Sequence, residues 1–197
     1  MNTDIDISST VLHTRRMKLR PWKLSDLDDL YAYARDPEVG PNAGWPPHQS
    51  RDVSVPILLK FITEKKTFAI EYEGRAVGSI GVERYDEELF PDLAPLRCRE
   101  LGFVLSRECW GKGLMTEAVR EVIRYLFEEQ GLDAIVCSHY VWNDRSRRVQ
   151  EKCGFRPYAL CTRRTVMDTE EPSQLRVLTR EAYFAACRGE VPRGEQA

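Results

Sequence analysis

A short loop with two glycines is the feature of this sequence most directly suited to chemistry. The residues Trp110, Gly111, Lys112 and Gly113 precede a stretch, residues 114–130, whose apolar side chains recur at helical spacing. Glycines one residue apart at the start of a helix free several backbone N–H groups to point outward, and the helix dipole adds positive potential there. The loop is therefore suited to binding a phosphate or pyrophosphate, although a tight turn that needs only positive φ would show the same pattern.

Two common phosphate-binding motifs do not fit this loop. The P-loop requires G-x-x-x-x-G-K-[ST], but no glycine lies five residues before Gly111, and Gly113 stands where Ser or Thr is required. The dinucleotide-binding fingerprint requires a third glycine three residues after Gly113, and Thr116 occupies that position. The loop is thus not predicted to bind a nucleotide in either of these two ways.

The composition is that of an ordinary soluble globular protein. The chain has 197 residues, of which 42% are hydrophobic and 30% charged, and its net charge of -2 gives no general attraction to nucleic acid or to an anionic membrane. No apolar run approaches the ~20 residues of a membrane span, and the polar start lacks the layout of a signal peptide. The six cysteines form no C-x-x-C pair. We therefore expect a cytoplasmic protein with reduced thiols and no bound metal.

The elements that must position the loop alternate between strands and helices. Apolar periodicity and turn residues predict one mixed α/β domain over residues 11–188, with a flexible arm at 1–10 and a flexible tail at 189–197. The predicted strands cover residues 16–22, 68–72, 77–82, 99–105, 134–141, 155–166 and 174–178. The predicted helices follow Ser25, cover residues 53–63 and 114–130, and begin at Asn143 and Thr179.

Five segments, taken in order, resemble the RimJ/RimL-like branch of the GNAT acyltransferases. They are Arg15–Trp22, Gly44–His48, Glu100–Leu105, Trp110–Ala118 and Asn143–Ser146, the last followed by Glu151–Phe155. The resemblance covers roughly residues 14–183. It implies a GNAT-like, mostly antiparallel twisted sheet that is splayed at its middle and flanked by helices. The splay is expected between the strands at residues 103–105 and 136–141.

The resemblance also implies acetyl-CoA as the cofactor and CoA as the product. Trp110 stands where the wider superfamily has Gln or Arg, and Met115 stands where it has Gly or Ala. Arg145, Arg147 and Arg148 either reach the phosphates or form a solvated helix face. The cofactor-binding residues implied are Phe103, Val104, Leu105, Trp110, Gly111, Lys112, Gly113, Leu114, Met115, Thr116, Asn143 and Ser146.

Acetyl transfer to an amine needs a neutral amine and a donor for the departing sulfur. Glu100 resembles the glutamate that many superfamily members use as a base through a water molecule. Glu83 and His139 are rival candidates, and solvent remains an alternative. Ser146 matches the serine that this branch often has in place of a tyrosine acid. Trp45 and Glu83 are the residues expected on the substrate side.

These features predict an acetyl-CoA-dependent N-acetyltransferase that acts on a primary amine by direct transfer in a ternary complex. The N-terminal α-amine of a ribosomal or other protein is one acceptor, and a polyamine, an antibiotic or an amino acid is the alternative. A non-catalytic acyl-CoA sensor is a different class of function. Glu100, Ser146 and an intact glycine loop together favour the enzyme. We expect a monomer or a homodimer that binds neither nucleic acid nor membrane.

Overall fold

Eight strands and five α-helices make up the computed structural model, which describes residues 1–190. The strands are β1 (Leu12–His13), β2 (Lys18–Pro21), β3 (Thr67–Tyr72), β4 (Arg75–Glu83), β5 (Cys98–Leu105), β6 (Ala134–Tyr140), β7 (Arg156–Arg164) and β8 (Glu170–Thr179). The helices are α1 (Leu27–Ala34), α2 (Arg51–Glu64), α3 (Leu114–Arg124), α4 (Asp144–Lys152) and α5 (Arg180–Cys187). The predicted order of strands and helices is confirmed from β2 onward, with most boundaries differing by a few residues, whereas the two-residue strand β1 was not predicted.

All eight strands belong to one sheet. Their order is β1-β2-β3-β4-β5-β6-β8-β7, and every neighbouring pair is antiparallel except β5 and β6, which run parallel. The β3–β4 hairpin turns at Glu73 and Gly74, where both residues have positive φ. The mixed α/β fold with a mostly antiparallel sheet is therefore confirmed.

The parallel pair β5–β6 separates halfway along its length. Pairing begins at Cys98 and Ala134 and stops at Leu101 and Cys137, although β5 continues to Leu105 and β6 continues to Tyr140. Beyond the last pair, β5 is bonded only to β4 and β6 only to β8. The predicted splay is confirmed, and it leaves two facing strand edges unpaired in the middle of the sheet.

Helix α3 covers the face of the sheet under this opening. Its buried stripe includes Ala118, Val119 and Val122, and it packs on Leu101 and Ile135 of the central strands. The other face is divided between two smaller clusters, one beneath α1 and α2 and one beneath the β4–β5 loop. Burial of the α3 stripe fixes the position of the glycine loop at the helix start relative to β5.

The structure corrects the prediction of a flexible arm at residues 1–10. Ile5 and Ile7 are only 7% and 1% exposed, and the Ile7 amide donates to the Lys65 carbonyl at 2.8 Å. Asn2 forms a parallel bridge with Cys98 at the start of β5. The two isoleucines alternate with aspartates in an extended segment that packs on the core. Two apolar residues are too few to form a periodic pattern, so the sequence did not predict this packing.

Two element boundaries also differ from the predictions. The predicted helix over residues 114–130 is α-helical only to Arg124, and a π-helical turn covers Tyr125–Glu129. The last strand, β8, spans Glu170–Thr179 rather than 174–178, because its first half pairs with the second half of β7. Residues 191–197 of the predicted tail lie outside the described residues.

Candidate active site

The two-glycine loop lies open at the start of α3. Gly111 and Gly113 have φ angles of 75° and 74°, a region that side chains other than glycine rarely adopt. A Cβ atom added at Gly111 would meet nothing within 4 Å, so the space beside the loop is free. Among residues 1–190, no protein acceptor is found for the amides of residues 111–113. These amides, with the free N–H groups of the first helical turn, form a donor set that fits a pyrophosphate.

Arg16, in the segment before β2, holds this loop in place. Its Nη1 donates to the Lys112 carbonyl at 3.0 Å, and its Nε forms an ion pair with Glu117 at 2.8 Å. The Glu117 carboxylate also accepts a hydrogen bond from Thr14 at 2.7 Å. Sequence reasoning did not identify this support, because the partners of Arg16 lie about a hundred residues further along the chain.

A cavity of about 460 Å³ runs from the glycine loop into the splay. Every predicted cofactor residue except Lys112 lines it, so the structure gathers one set of side chains and backbone groups from β5, the loop, α3 and α4. Val39, Asn42 and Ala43 from the α1–α2 loop also line the cavity, and no motif in the sequence pointed to them. The volume and the unpaired strand edge suit a slender ligand that carries amide groups.

The far wall of the cavity is the first turn of α4. Asn143 caps this helix, because its Oδ1 accepts from the Ser146 amide at 3.1 Å. Its Nδ2 donates to the Asn42 carbonyl at 3.0 Å, which ties the α1–α2 loop to the cavity rim. The Asn143 side-chain amide therefore has one protein partner at each end, and one N–H and one oxygen lone pair remain for a ligand in the cavity.

A cation–π contact joins the two walls. The Arg145 guanidinium lies 4.4 Å from the centre of the Trp110 ring, and the Trp110 Nε1 donates to the Leu105 carbonyl at 2.8 Å. The tryptophan thus packs on the end of β5, and its ring supports an arginine of α4. Arg145 and Arg148 both line the cavity, whereas Arg147 forms ion pairs with Asp144 and Glu151 on the helix surface.

The candidate base Glu100 is held by an arginine from the other end of the sheet. Arg163 Nη1 lies 2.8 Å from Glu100 Oε1, and Arg163 Nη2 lies 3.2 Å from Oε2. Ser138 donates to Oε1 at 3.0 Å and also contacts Arg163. Burial opposes the charge on Arg163, but the bonds from Glu100 outweigh it and raise the pKa of the guanidinium. Sequence reasoning missed Arg163 and Ser138.

The two rival bases have partners of their own. Glu83 stands opposite Glu100 in the β4–β5 register and forms an ion pair with Lys66 at 2.7 Å. His139 is buried on the opposite face of β6, with its Nδ1 at 3.1 Å from Gln150 Oε1. Burial lowers the pKa of His139, so the imidazole is neutral at pH 7. Its position within the protein interior does not suit contact with an acceptor amine.

Trp45 does not line the cavity. Its ring packs against the cluster beneath α1 and α2, with its centre 5.2 Å from that of His48. The neighbouring Gly44 has a φ of 85°, and a Cβ there would collide with the Tyr140 hydroxyl on β6. The Gly44 carbonyl accepts from the Val166 amide in the β7–β8 turn at 3.3 Å. The predicted substrate-side loop therefore reaches the splay through Gly44 rather than through the indole.

Residues 1–190 contain no group of three or more His, Cys, Asp or Glu side chains arranged to hold a metal ion. None of the helices in the same part of the chain is long and apolar enough to cross a membrane. All six cysteines are free, and three of them are buried.

This chain belongs to the acetyltransferase (GNAT) domain family, whose model matches residues 16–156. The Bacillus licheniformis N-acetyltransferase p20 is 30% identical over 131 residues, which cover 63% of this chain and 70% of p20. The Bacillus subtilis protein YdaF, provisionally named a ribosomal N-acetyltransferase, is 34% identical over 84 residues. That match covers 43% of this chain and only 42% of YdaF.

The fold is shared with solved GNAT structures. An acetyltransferase of this family from Bacillus anthracis superimposes with a TM-score of 0.75 at 20% identity, covering 87% of this chain and 99% of the other. The resemblance to GNAT acetyltransferases seen in the sequence is therefore confirmed by both family membership and fold.

Proposed function

We propose that this protein is an acetyl-CoA-dependent N-acetyltransferase whose acceptor is the α-amine of a polypeptide N-terminus. One observation carries the proposal: a single cavity joins the open glycine loop to the splay between β5 and β6, with Ser146 on its wall. Acetyl-CoA, when bound, supplies an acetyl group that is already activated as a thioester. The name of YdaF supports a protein acceptor, although the match covers only 42% of YdaF.

The glycine loop would hold the pyrophosphate through its backbone. A hydrogen bond from an amide to a charged oxygen contributes ~1.5–3 kcal/mol, so several converging amides outweigh any single side chain. Arg145 and Arg148 on the opposite wall add positive charge next to the same space. The edge of β5 beyond Leu101 is not paired with β6, and its backbone groups, apart from the Leu105 carbonyl that accepts from Trp110, would bond with the amide groups of the cofactor arm.

The acceptor is inferred from the state of Glu100. Both carboxylate oxygens already accept hydrogen bonds from Arg163, and Oε1 accepts another from Ser138. Glu100 is therefore tied to Arg163 and Ser138 and is not free to contact the acceptor directly. An α-amine with a pKa of ~7.7–8.0 loses only about 1 kcal/mol to protonation at pH 7, whereas a lysine amine loses about 4.6 kcal/mol. The site therefore suits an α-amine, which needs little help from a base to lose its proton.

In this proposal, Glu100 takes up the amine proton through solvent, and Ser146 donates a hydrogen bond to the departing sulfur. Glu100 and Ser138 lie on the face of the sheet opposite α3, where the acceptor would approach. Ser146 lies on the cavity wall, on the cofactor side of the splay.

Thiol release from acetyl-CoA with a panel of amines tests the proposed function. The panel holds peptides with a free α-amine, the same peptides blocked at the N-terminus but carrying lysine, a polyamine, an aminoglycoside and free amino acids. We expect release with the free α-amine and little with the blocked peptides. Turnover confined to a small molecule would overturn the choice of acceptor. Tight binding of acetyl-CoA with no release for any amine would indicate the sensor.

A further inference from the structure

Gln150 is a buried polar side chain beside the cavity that makes three hydrogen bonds. It lies on α4, one turn after Ser146, and is 0% exposed. Its Nε2 is 3.0 Å from Ser146 Oγ and 3.0 Å from the Ser138 carbonyl oxygen, and its Oε1 is 3.1 Å from His139 Nδ1. The amide therefore joins Ser146 to two residues of β6 in the splayed part of the strand.

The Ser138 carbonyl fixes which way this amide points. A carbonyl oxygen only accepts hydrogen bonds, so the nitrogen of the Gln150 amide must face it and the oxygen must face His139. His139 then donates from Nδ1 to Gln150 Oε1. One Nε2 proton goes to Ser138 and the other to Ser146 Oγ, and an amide nitrogen accepts nothing in return.

The Ser146 hydroxyl is consequently an acceptor toward Gln150, and its own proton is free. No described residue is recorded as accepting that proton, and Ser146 lines the cavity. The hydrogen-bond direction runs from His139 to Gln150, from Gln150 to Ser146, and from Ser146 into the cavity. Aliphatic hydroxyls do not ionise near neutral pH. Ser146 would therefore contribute as a hydrogen-bond donor, and the direction of its O–H bond decides which atom receives that bond.

We infer that Gln150 is a positioning residue that turns the Ser146 hydroxyl into a hydrogen-bond donor aimed at the thioester sulfur. This inference rests on the proposed function. As the amine forms its C–N bond, the C–S bond breaks and the sulfur keeps the bonding electrons. Ser146 hydrogen-bonds to that sulfur, which ends as a thiol when the proton that Glu100 took from the amine is returned through solvent. Gln150 touches neither reactant.

Changing Gln150 to Glu tests the direction of the bond at nearly constant shape. The carboxylate offers only acceptors, so the Ser146 hydroxyl would turn toward residue 150 and away from the cavity. We expect Q150E to lower kcat by about 10- to 100-fold, as S146A does, with the Kd for CoA within about twofold of wild type. Since both changes remove one donor, the double variant should be no slower than S146A alone.

Gln174→Glu is the matched control. Gln174 Nε2 also donates to two backbone carbonyls, those of Ala159 and Leu175, but it has no contact with Ser146. Q174E should therefore keep the wild-type kcat even if its melting temperature falls. Should Q150E fail to fold, Q150M removes the donors without burying a charge, and the same loss of kcat without further loss in the S146A background is expected.

Three results would overturn the inference. They are full kcat in S146A, full kcat in a folded Q150E or Q150M, and additive losses in the double variant. Each of these results can be interpreted only when the wild-type protein releases thiol with at least one amine. A wild type that binds CoA but releases thiol with none refutes the proposed function instead, so the two failures are distinguishable.

Discussion

Arg163 on β7 reaches Glu100 on β5 across the two intervening strands β8 and β6, with contacts of 2.8 and 3.2 Å to the two carboxylate oxygens. Ser138 of β6 lies between them and contacts both. The ion pair sits beside Leu101 and Cys137, the last paired residues before β5 and β6 separate. It therefore links both halves of the sheet at the point where the backbone hydrogen bonds end.

The ion pair occupies both carboxylate oxygens of Glu100. A base that only supplies neutral α-amine at pH 7 gains the protonation cost of about 1 kcal/mol, or roughly five- to tenfold in rate. We expect E100Q to lose about that much turnover with an α-amine peptide at pH 7 and to recover by pH 9. E83Q, whose carboxylate pairs with Lys66, is the control and should show no such dependence. A loss above 100-fold that persists at pH 9 would contradict this account.

Substitution of a loop glycine should weaken cofactor binding more than folding. Gly113→Val forces a β-branched residue to a φ of 74° and so strains the backbone that presents the loop amides. We expect the Kd for CoA, measured by calorimetry, to rise at least tenfold. Gly74→Val imposes the same strain at a φ of 80° in the β3–β4 turn, where a Cβ meets nothing. If both variants bind CoA as wild type does, the phosphates lie elsewhere.

CoA should stabilise the folded protein. A ligand at ~100 times its Kd adds about 2.7 kcal/mol to the free energy of unfolding. We expect a concentration-dependent rise in melting temperature with CoA, measured by scanning fluorimetry. Pantetheine, which lacks the pyrophosphate, should give a much smaller rise at the same concentration because the loop amides then have no anion to bind. Equal shifts with the two ligands would show that the loop contributes nothing.

Acidification should destabilise the protein through two histidines. Burial lowers the pKa of His139 and of His48 below the ordinary value of 6.5. Below pH 6.5 the unfolded chain therefore binds more protons than the folded one. The free energy of unfolding decreases as the pH is lowered, until the pH is below the lowered pKa values of the folded protein. Urea unfolding at pH 7.5 and 5.5 measures the loss. We expect H139Q and H48Q each to reduce it.

The sequence predicted the parts of the site that are local in the chain. The glycines at 111 and 113 and the apolar stripe of α3 specify the loop and the helix within about twenty residues. Arg163 and Gln150 were missed for a different reason. The contact of Arg163 with Glu100 depends on the strand order β5-β6-β8-β7, and that of Gln150 depends on how α4 crosses β6. Neither contact can be predicted from the spacing of residues in the sequence.

The gap between β5 and β6 also bears on how this protein avoids edge-to-edge strand pairing with other polypeptides. A free strand edge invites another polypeptide to add to the sheet, which is a common route to aggregation. This edge lies inside the molecule, where α4 closes one side and the Asn42 carbonyl, bonded to Asn143, holds the α1–α2 loop over the rim. The unpaired stretch of β5 is also short, because only residues 102–105 extend beyond the last pair with β6. An incoming strand would find few backbone groups to pair with there, whereas a cofactor arm needs only a few.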